Sequence, residues 1–328
     1  MKVLVVGAGS IGKRHISNLA KLGQEIIVCD IDQKNALGLE GVVSVHSSLE
    51  KALDEGPQTA FICSFSNDHI SPAIKCAKAG CHLFIEKPLS TSIEGINELI
   101  NICEEKKLIT MVGCNMRFHP SIKRLKDIVD NDQRFKDLLW ANIEFGYYLP
   151  FAKPDYISHY MANRSKGGNI IFDVIHELDY AIWLMGEPKS VLCRSGIISD
   201  LKIDTQDYAD ILVEFVSGKK AMLHLDYLQH DYTRRCKLVS KNATAVWDHS
   251  SGKIGIVDVE NKEWEWEDSR YELAYNEMYI DEVLYFMDCI SKKNDTMNAV
   301  SDALLTTKLA LAAMLSSEKR TWEQVNEG

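Results

Sequence analysis

The sequence predicts an α/β protein in two parts, a doubly wound parallel sheet followed by a mostly antiparallel one. Two observations carry that expectation. Up to residue 113, short apolar runs alternate with helical patterns, as in βαβ units whose strands are buried on both faces. From Leu138 onward, β-rich segments succeed one another across short polar turns such as Ser217-Gly218, which suits antiparallel pairing. A chain of 328 residues accommodates two domains, and the boundary is expected near residue 118, giving 1–118 and 119–328.

The first element is a β-branched run, Val3 to Val6, that meets Gly7-x-Gly9-x-x-Gly12. A helical pattern follows from His15 to Leu22, then a second strand from Glu25 to Cys29 that ends at Asp30, 18 residues beyond Gly12. Strand, glycine loop, helix, strand and acid in this order form the context in which GxGxxG binds a dinucleotide. Gly7 permits the tight turn, Gly9 lets the backbone approach a pyrophosphate, and Gly12 allows the helix to pack closely on the strand. The helix N-terminus offers N–H groups and a partial positive charge to the phosphates. Asp30 would accept hydrogen bonds from both adenosine ribose hydroxyls. A 2′-phosphate there would be repelled by Asp30 and Asp32, and no arginine follows, so NAD is expected over NADP.

Alternation continues with a polar helix near Ser48–Glu55, strand Thr59–Cys63, helix His69–Ala79, strand His82–Ile85, helix Ser92–Lys106 and strand Ile109–Gly113. Ligands of such sheets lie outside the carboxyl ends of the strands. Those ends supply the cofactor candidates: Gly7, Gly9, Ser10, Ile11, Gly12, Asp30, Ser64, Phe65, Asn67, His69, Glu86, Lys87 and Asn115. A lysine at the edge of a parallel sheet, as in Glu86-Lys87-Pro88, points at the ligand crevice, where its ammonium can hydrogen-bond a substrate hydroxyl and favour the alkoxide.

The second half contributes LLWANIEFGYYL, SVLCRSGII, YADILVEFV, KAMLHLDYL, RCKLVSK, ATAVWDH and KIGIVDV as strands, with helices over Tyr279–Ile290 and Ala303–Leu315. Between them lies GGNIIFDVIHELDY, residues 167–180, an apolar run interrupted by three acids and a histidine. Asn169 can cap a helix that ends near Met185–Gly186. On one continuous helix Asp173, His176, Glu177 and Tyr180 would share a face, at i, i+3, i+4 and i+7. A polar stripe on a buried helix is costly unless its members pair or meet a polar ligand, so a site is expected there. Asp179 lies off the stripe and is expected to support the site residues from behind or to hold the fold. HELDY lacks the second histidine of H-E-x-x-H, and no other histidine has ligand spacing, so no metal site is expected.

Composition excludes several function classes. A net charge of −10, with acids and bases mixed, leaves no basic face for nucleic acid or anionic membrane. No stretch approaches the roughly 20 apolar residues of a membrane span. Nine cysteines without a C-x-x-C pair read as reduced thiols of a cytoplasmic protein.

GAGSIG, Asp30, the Ser64-to-His69 turn, EKPLS at 86–90 and GGNIIFDVIHELD together resemble the glucose–fructose oxidoreductase/inositol dehydrogenase (Gfo/Idh/MocA) family over essentially the whole chain. The resemblance implies a Rossmann domain, then an α/β domain on a large, mostly antiparallel open sheet through which subunits pair as homodimers or homotetramers. It implies NAD(P)-dependent hydride transfer at a carbinol carbon of a sugar, cyclitol or related polyol. The family's catalytic lysine and histidine map onto Lys87 and His176. In that scheme His176, as neutral imidazole, takes the hydroxyl proton, while Lys87 hydrogen-bonds the same oxygen. Many members place an acid four positions before the histidine. Here Asp173 lies three positions before His176, as in members with an RFHP element like Arg117–Pro120. Asp173 would orient His176 or bind a neighbouring hydroxyl. Arg117, Tyr147, Tyr148, Tyr160 and Arg164 are the candidates for substrate contacts. Two other outcomes fit the resemblance: net non-redox chemistry with a recycled cofactor, and an NAD-sensing regulator, against which the presence of both Lys87 and His176 argues.

Overall fold

The computed structural model describes residues 1–164, 167–269 and 276–326. These fall into two compact units, one of residues 1–115 and 274–307, the other of residues 116–273 and 308–328.

The first unit is built on parallel strands β1 (Lys2–Val6), β2 (Glu25–Cys29), β3 (Val42–His46), β4 (Thr59–Ile62), β5 (His82–Glu86) and β6 (Thr110–Gly113), in the order β3-β2-β1-β4-β5-β6. The connecting helices are α1 (Ser10–Lys21), α2 (Leu49–Leu53), α3 (Ile70–Lys78) and α4 (Ile96–Lys106). β1, β4 and β5 are apolar almost throughout because helices cover both faces of the sheet. Strand order reverses at β1, so the crevice beyond its carboxyl end is where a dinucleotide sits in this topology. β3 is an addition to the sequence reading. Its residues are only partly buried, so its apolar pattern is weak. Residues from far along the chain complete this unit. Phe286 packs edge-on against the stacked pair Phe61–Phe84, at 6.0 and 5.7 Å. Thr296 Oγ1 and Asn298 Nδ2 donate to the carbonyls of Thr110 and Val112, at 2.6 and 3.0 Å.

The second unit begins with α5 (Pro120–Asn131), which the sequence reading lacks. His119 caps it, its Nδ1 accepting from Ser121 N at 3.2 Å, and Pro120 stands where a missing N–H costs nothing. Then come β7 (Leu138–Gly146), α6 (Leu149–Ala152), α7 (Ile170–Asp173), α8 (Ile175–Met185), β8 (Pro188–Gly196), β9 (Tyr208–Phe215), β10 (Lys220–Asp226), β11 (Thr233–Ser240), β12 (Ala243–Asp248), β13 (Lys253–Asp258) and β14 (Glu265–Asp268). Helix α9 (Glu277–Lys292) belongs to the first unit, whereas the residues from Lys308 onward, in α10 (Val300–Lys319) and β15 (Glu323–Gln324), belong to the second. Its nine-stranded sheet runs β14-β13-β12-β11-β7-β10-β9-β8-β15, and β7 with β10 is the parallel pair within an otherwise antiparallel sheet. β9 alternates strictly: Ala209, Ile211, Val213 and Phe215 are buried, whereas Asp210 and Leu212 are exposed. One face packs on helix α8, and the other is open among the described residues.

Candidate functional site

In the first unit Gly7 and Gly12 stand where a Cβ does not fit. Gly7 has φ +91°, and a Cβ there would lie 2.7 Å from the Cys63 carbonyl oxygen. A Cβ on Gly12 would lie 2.0 Å from the Gly7 carbonyl oxygen, so loop and helix interlock through both positions. A Cβ on Gly9 would meet nothing within 4 Å. Gly9 also caps α1 without a side chain, so the first-turn N–H groups face outward for an anion, beside the exposed Ser10 and half-buried Ile11. Asp30 is held in place: Oδ2 accepts from Ala8 N at 2.6 Å and Oδ1 from Asp32 N at 2.8 Å and Asn35 Nδ2 at 3.2 Å. A carboxylate offers about four acceptor sites, which leaves capacity for a ribose hydroxyl. The glycine loop and the acid thus fit the adenosine and pyrophosphate of NAD.

The carboxyl ends of β4 and β5 are braced together by His69. Its Nδ1 lies 2.8 Å from the Pro88 carbonyl and its Nε2 3.1 Å from that of Ser64. Burial first, against those carbonyls, lowers its pKa. His69 is thereby a buried strut rather than a ligand contact. Ser64 Oγ donates to the Asp68 carbonyl at 2.9 Å, while Phe65 and Asn67 are exposed on the same turn. Lys87 is half-buried, its N–H donating to Glu86 Oε2 at 3.2 Å, and the Lys87–Pro88 peptide is cis. Glu86 itself points inward, with Oε1 2.6 Å from His15 Nε2. Asn115 is buried at the start of the turn after β6.

In the second unit the expected continuous helix is broken. Asn169 caps α7 as expected, accepting from Ile171 N at 2.8 Å, but Val174 leaves helical geometry at φ −99° and ψ 33°. The polar stripe is therefore divided. Asp173 closes α7 and accepts from Tyr160 Oη at 2.5 Å and from Tyr227 Oη at 3.1 Å. Burial first, and then the Asp173 charge, pushes the Tyr227 phenol well above its ordinary range, so it stays a donor. Asp173 thus accepts from two tyrosine hydroxyls. Glu177 is fully buried and accepts from Arg234 Nε at 2.6 Å, with the guanidinium 4.6 Å above the Phe145 ring. Tyr180 is fully buried, while His176 is half-buried at the start of α8.

The remaining candidates separate in the same way. Arg117, expected at the substrate, instead grips Asp179 with two bonds of 2.8 Å, and both side chains are buried. That pair fastens the turn before α5 to α8, the fold-holding role expected of Asp179. Tyr148 stacks on His230 at 4.3 Å and meets Phe151 edge-on, and Tyr147 packs edge-on against Tyr227 at 5.5 Å. Arg164 is exposed, its backbone N–H donating to Asp204. Tyr227 and Arg234 are absent from the sequence reading. Each sits on a strand or just past one, where its inward direction depends on register and nothing local marks a partner 54 or 57 positions away.

Residues 1–114 match an oxidoreductase family with an NAD-binding Rossmann fold, and residues 122–246 match the C-terminal domain of the GFO/IDH/MocA group. The chain is 25% identical over 346 aligned residues to the myo-inositol 2-dehydrogenase of Thermotoga maritima, covering 100% of this chain and 99% of that protein. It is 27% identical over 330 to the inositol 2-dehydrogenase of Rhizobium meliloti, covering 96% and 97%. Among solved structures, levoglucosan dehydrogenase in complex with NADH shares the fold at a TM-score of 0.89 and 17% identity, with both chains covered completely.

Proposed function

This chain belongs to the Gfo/Idh/MocA oxidoreductase family, with its NAD-binding Rossmann fold, and on that premise we propose that it oxidises a secondary alcohol carbon of a sugar, cyclitol or sugar derivative, or reduces the corresponding ketone. The observation that carries the reading is Lys87 at the carboxyl end of β5, on the sheet edge where this topology receives a dinucleotide. NAD, when bound, supplies the hydride acceptor. Residues 1–118 hold it through Gly7, Gly9, Gly12 and Asp30, and residues 119–328 supply His176, Asp173 and the substrate contacts. His176 takes the hydroxyl proton, Lys87 stabilises charge developing on the same oxygen, and Asp173 with Tyr160 and Tyr227 orients a neighbouring hydroxyl. The names of the inositol relatives make myo-inositol the first compound to try, with levoglucosan next.

The test is a dehydrogenase assay with NAD and NADP against polyols, anhydro-sugars and nucleotide sugars. Formation of NADH with a polyol or sugar is expected, with NADP the poorer cofactor. Turnover without NADH accumulation would mean recycled-cofactor chemistry instead. Replacing Asp30 by Ala should cut the NAD-over-NADP affinity ratio about 10- to 100-fold, the scale of a hydrogen bond to a charged group. An unchanged ratio would refute the ribose assignment.

The open sheet face supports a second part of the reading, a homodimer or homotetramer joined there. Trp140, Leu212 and Met222 stand exposed on three adjacent strands of it. All nine cysteines are buried, which suits a reducing, cytoplasmic setting.

A further inference from the structure

Beneath the glycine loop lies a group of side chains that the proposed chemistry does not use. His15, on α1, Glu86, at the end of β5, and Glu282, on α9, bring one nitrogen and two carboxylate groups within 4.8 Å of one another. All three are deeply buried, at 0%, 5% and 0% exposure. Neither oxygen of Glu282 has a hydrogen-bond partner among the described residues. His15 is walled by the rings of Phe61, Phe84 and Tyr279, at 5.4, 5.1 and 6.2 Å, so Nε2 is its polar outlet, 2.6 Å from Glu86 Oε1.

Two carboxyl groups facing each other away from water need a proton or a cation between them, and a cation that reaches both can take the proton's place. Arg14, the cation whose charge reaches Glu282, lies 4.4 Å over the Tyr279 ring and forms no ion pair with Glu282 among the described residues. We propose that His15, Glu86 and Glu282 form a buried site for one divalent cation of the zinc or manganese class.

One imidazole and two carboxylates make a donor set that suits these ions. Magnesium is a poorer match, since it keeps several waters that a site walled by aromatic rings does not accommodate. Ligands on a tetrahedral ion at 2.0–2.1 Å stand about 3.3 Å apart. The ion therefore replaces the His15–Glu86 hydrogen bond, and those atoms part by about 0.7 Å. Glu282 supplies the third protein ligand, which leaves the fourth position of the ion for one water. The ion would tie the helix after the glycine loop, the strand end before Lys87 and α9 into one rigid corner. Sequence spacing conceals the site, because its ligands lie 71 and 196 positions apart.

The experiment measures metal content of the untagged protein by mass spectrometry, after purification without chelator, reconstitution with Zn²⁺, Mn²⁺ or Co²⁺, and dialysis. About one equivalent per chain is expected, with visible absorption from the Co²⁺ form and a lower Tm after chelation. Glu282→Gln and His15→Gln, checked for fold by NAD binding, should each lose that equivalent. Two results overturn the proposal. One is less than a tenth of an equivalent on the wild-type chain with no Tm response to any of the three ions. The other is a full equivalent retained by Glu282→Gln, which places the ion elsewhere. If both variants fail to fold, a wild-type chain without metal or Tm response still overturns the proposal. They also stand apart from the dehydrogenase assay, since metal content does not depend on which substrate is turned over.

Discussion

Lys87 and His176 are proposed to act on one oxygen, and that has a kinetic signature. Each single replacement by Ala should lower turnover about 10²-fold or more, the usual scale for acid–base groups. Because both serve one event, the double variant should be little worse than either single one. NAD affinity should survive His176→Ala nearly unchanged, whereas Lys87→Ala is allowed some loss. Steady-state kinetics with fluorescence titration of NAD checks all three statements, and near-normal turnover in folded His176→Ala would remove the histidine from the mechanism. His176 is set apart from Glu177, its neighbour, by surroundings alone. Glu177 is sealed against Arg234, while His176 keeps partial exposure at the start of α8.

At the scale of elements, α7 and α8 carry the second-unit residues proposed for the site, and buried ion pairs hold α8. Arg234 and Glu177 are both inside the fold, at 7% and 0% side-chain exposure. Arg234→Leu leaves a buried carboxylate without its cation and should cost about 3–5 kcal/mol. Adding Glu177→Gln should recover part of that loss, and urea unfolding of the three variants measures it. A surface counterpart runs across the open face of the sheet, where Arg194, Asp210, His224, Glu144, Arg235 and Asp248 are successive cross-strand partners. Opposite charges alternate along the row. The hydrogen bond to Asp226 first, then the one to Asp210, against the pull of burial, raises the His224 pKa to about 9. With the folded value above the unfolded value of about 6.5, the imidazolium's contribution is fully present below pH 6.5. It is lost as pH rises through about 9. The Tm of the wild type should therefore fall more steeply between pH 7 and 9.5 than that of His224→Gln. His224 is half exposed, so the difference should be small; parallel curves would reject the assignment.

For the whole molecule, the same open face makes a prediction about assembly. Its row of alternating charges lies beside the apolar row Leu192, Leu212 and Met222, a pattern that a second copy can meet with its own. Light scattering at micromolar concentration should give a dimer or tetramer mass, and Met222→Glu should shift it toward monomer. A monomeric wild type would exclude the sheet-face pairing. Much of this architecture was legible because period and punctuation are local. The glycine loop, Asp30, the cap at Asn169 and the alternating strands of the second sheet all announce themselves within a few residues. What stayed hidden depends on distant partners or weak signals. Val174 reads as one more apolar helical residue, and nothing nearby says that the chain turns there. β3 is too thinly buried to show a pattern. Arg117 reads as a substrate cation until Asp179, 62 positions on, claims its guanidinium.

The first unit is discontinuous in sequence, and this sets the order of events during synthesis. All six strands of its sheet leave the ribosome before residue 120, yet the Phe286 ring, Thr296 and Asn298 that close over β4, β5 and β6 come more than 160 residues later. At about 5–20 residues per second the nascent sheet waits roughly 10–30 s with one side unfinished. In that interval its aromatic surface around Phe61 and Phe84 is available to chaperones or to other nascent chains.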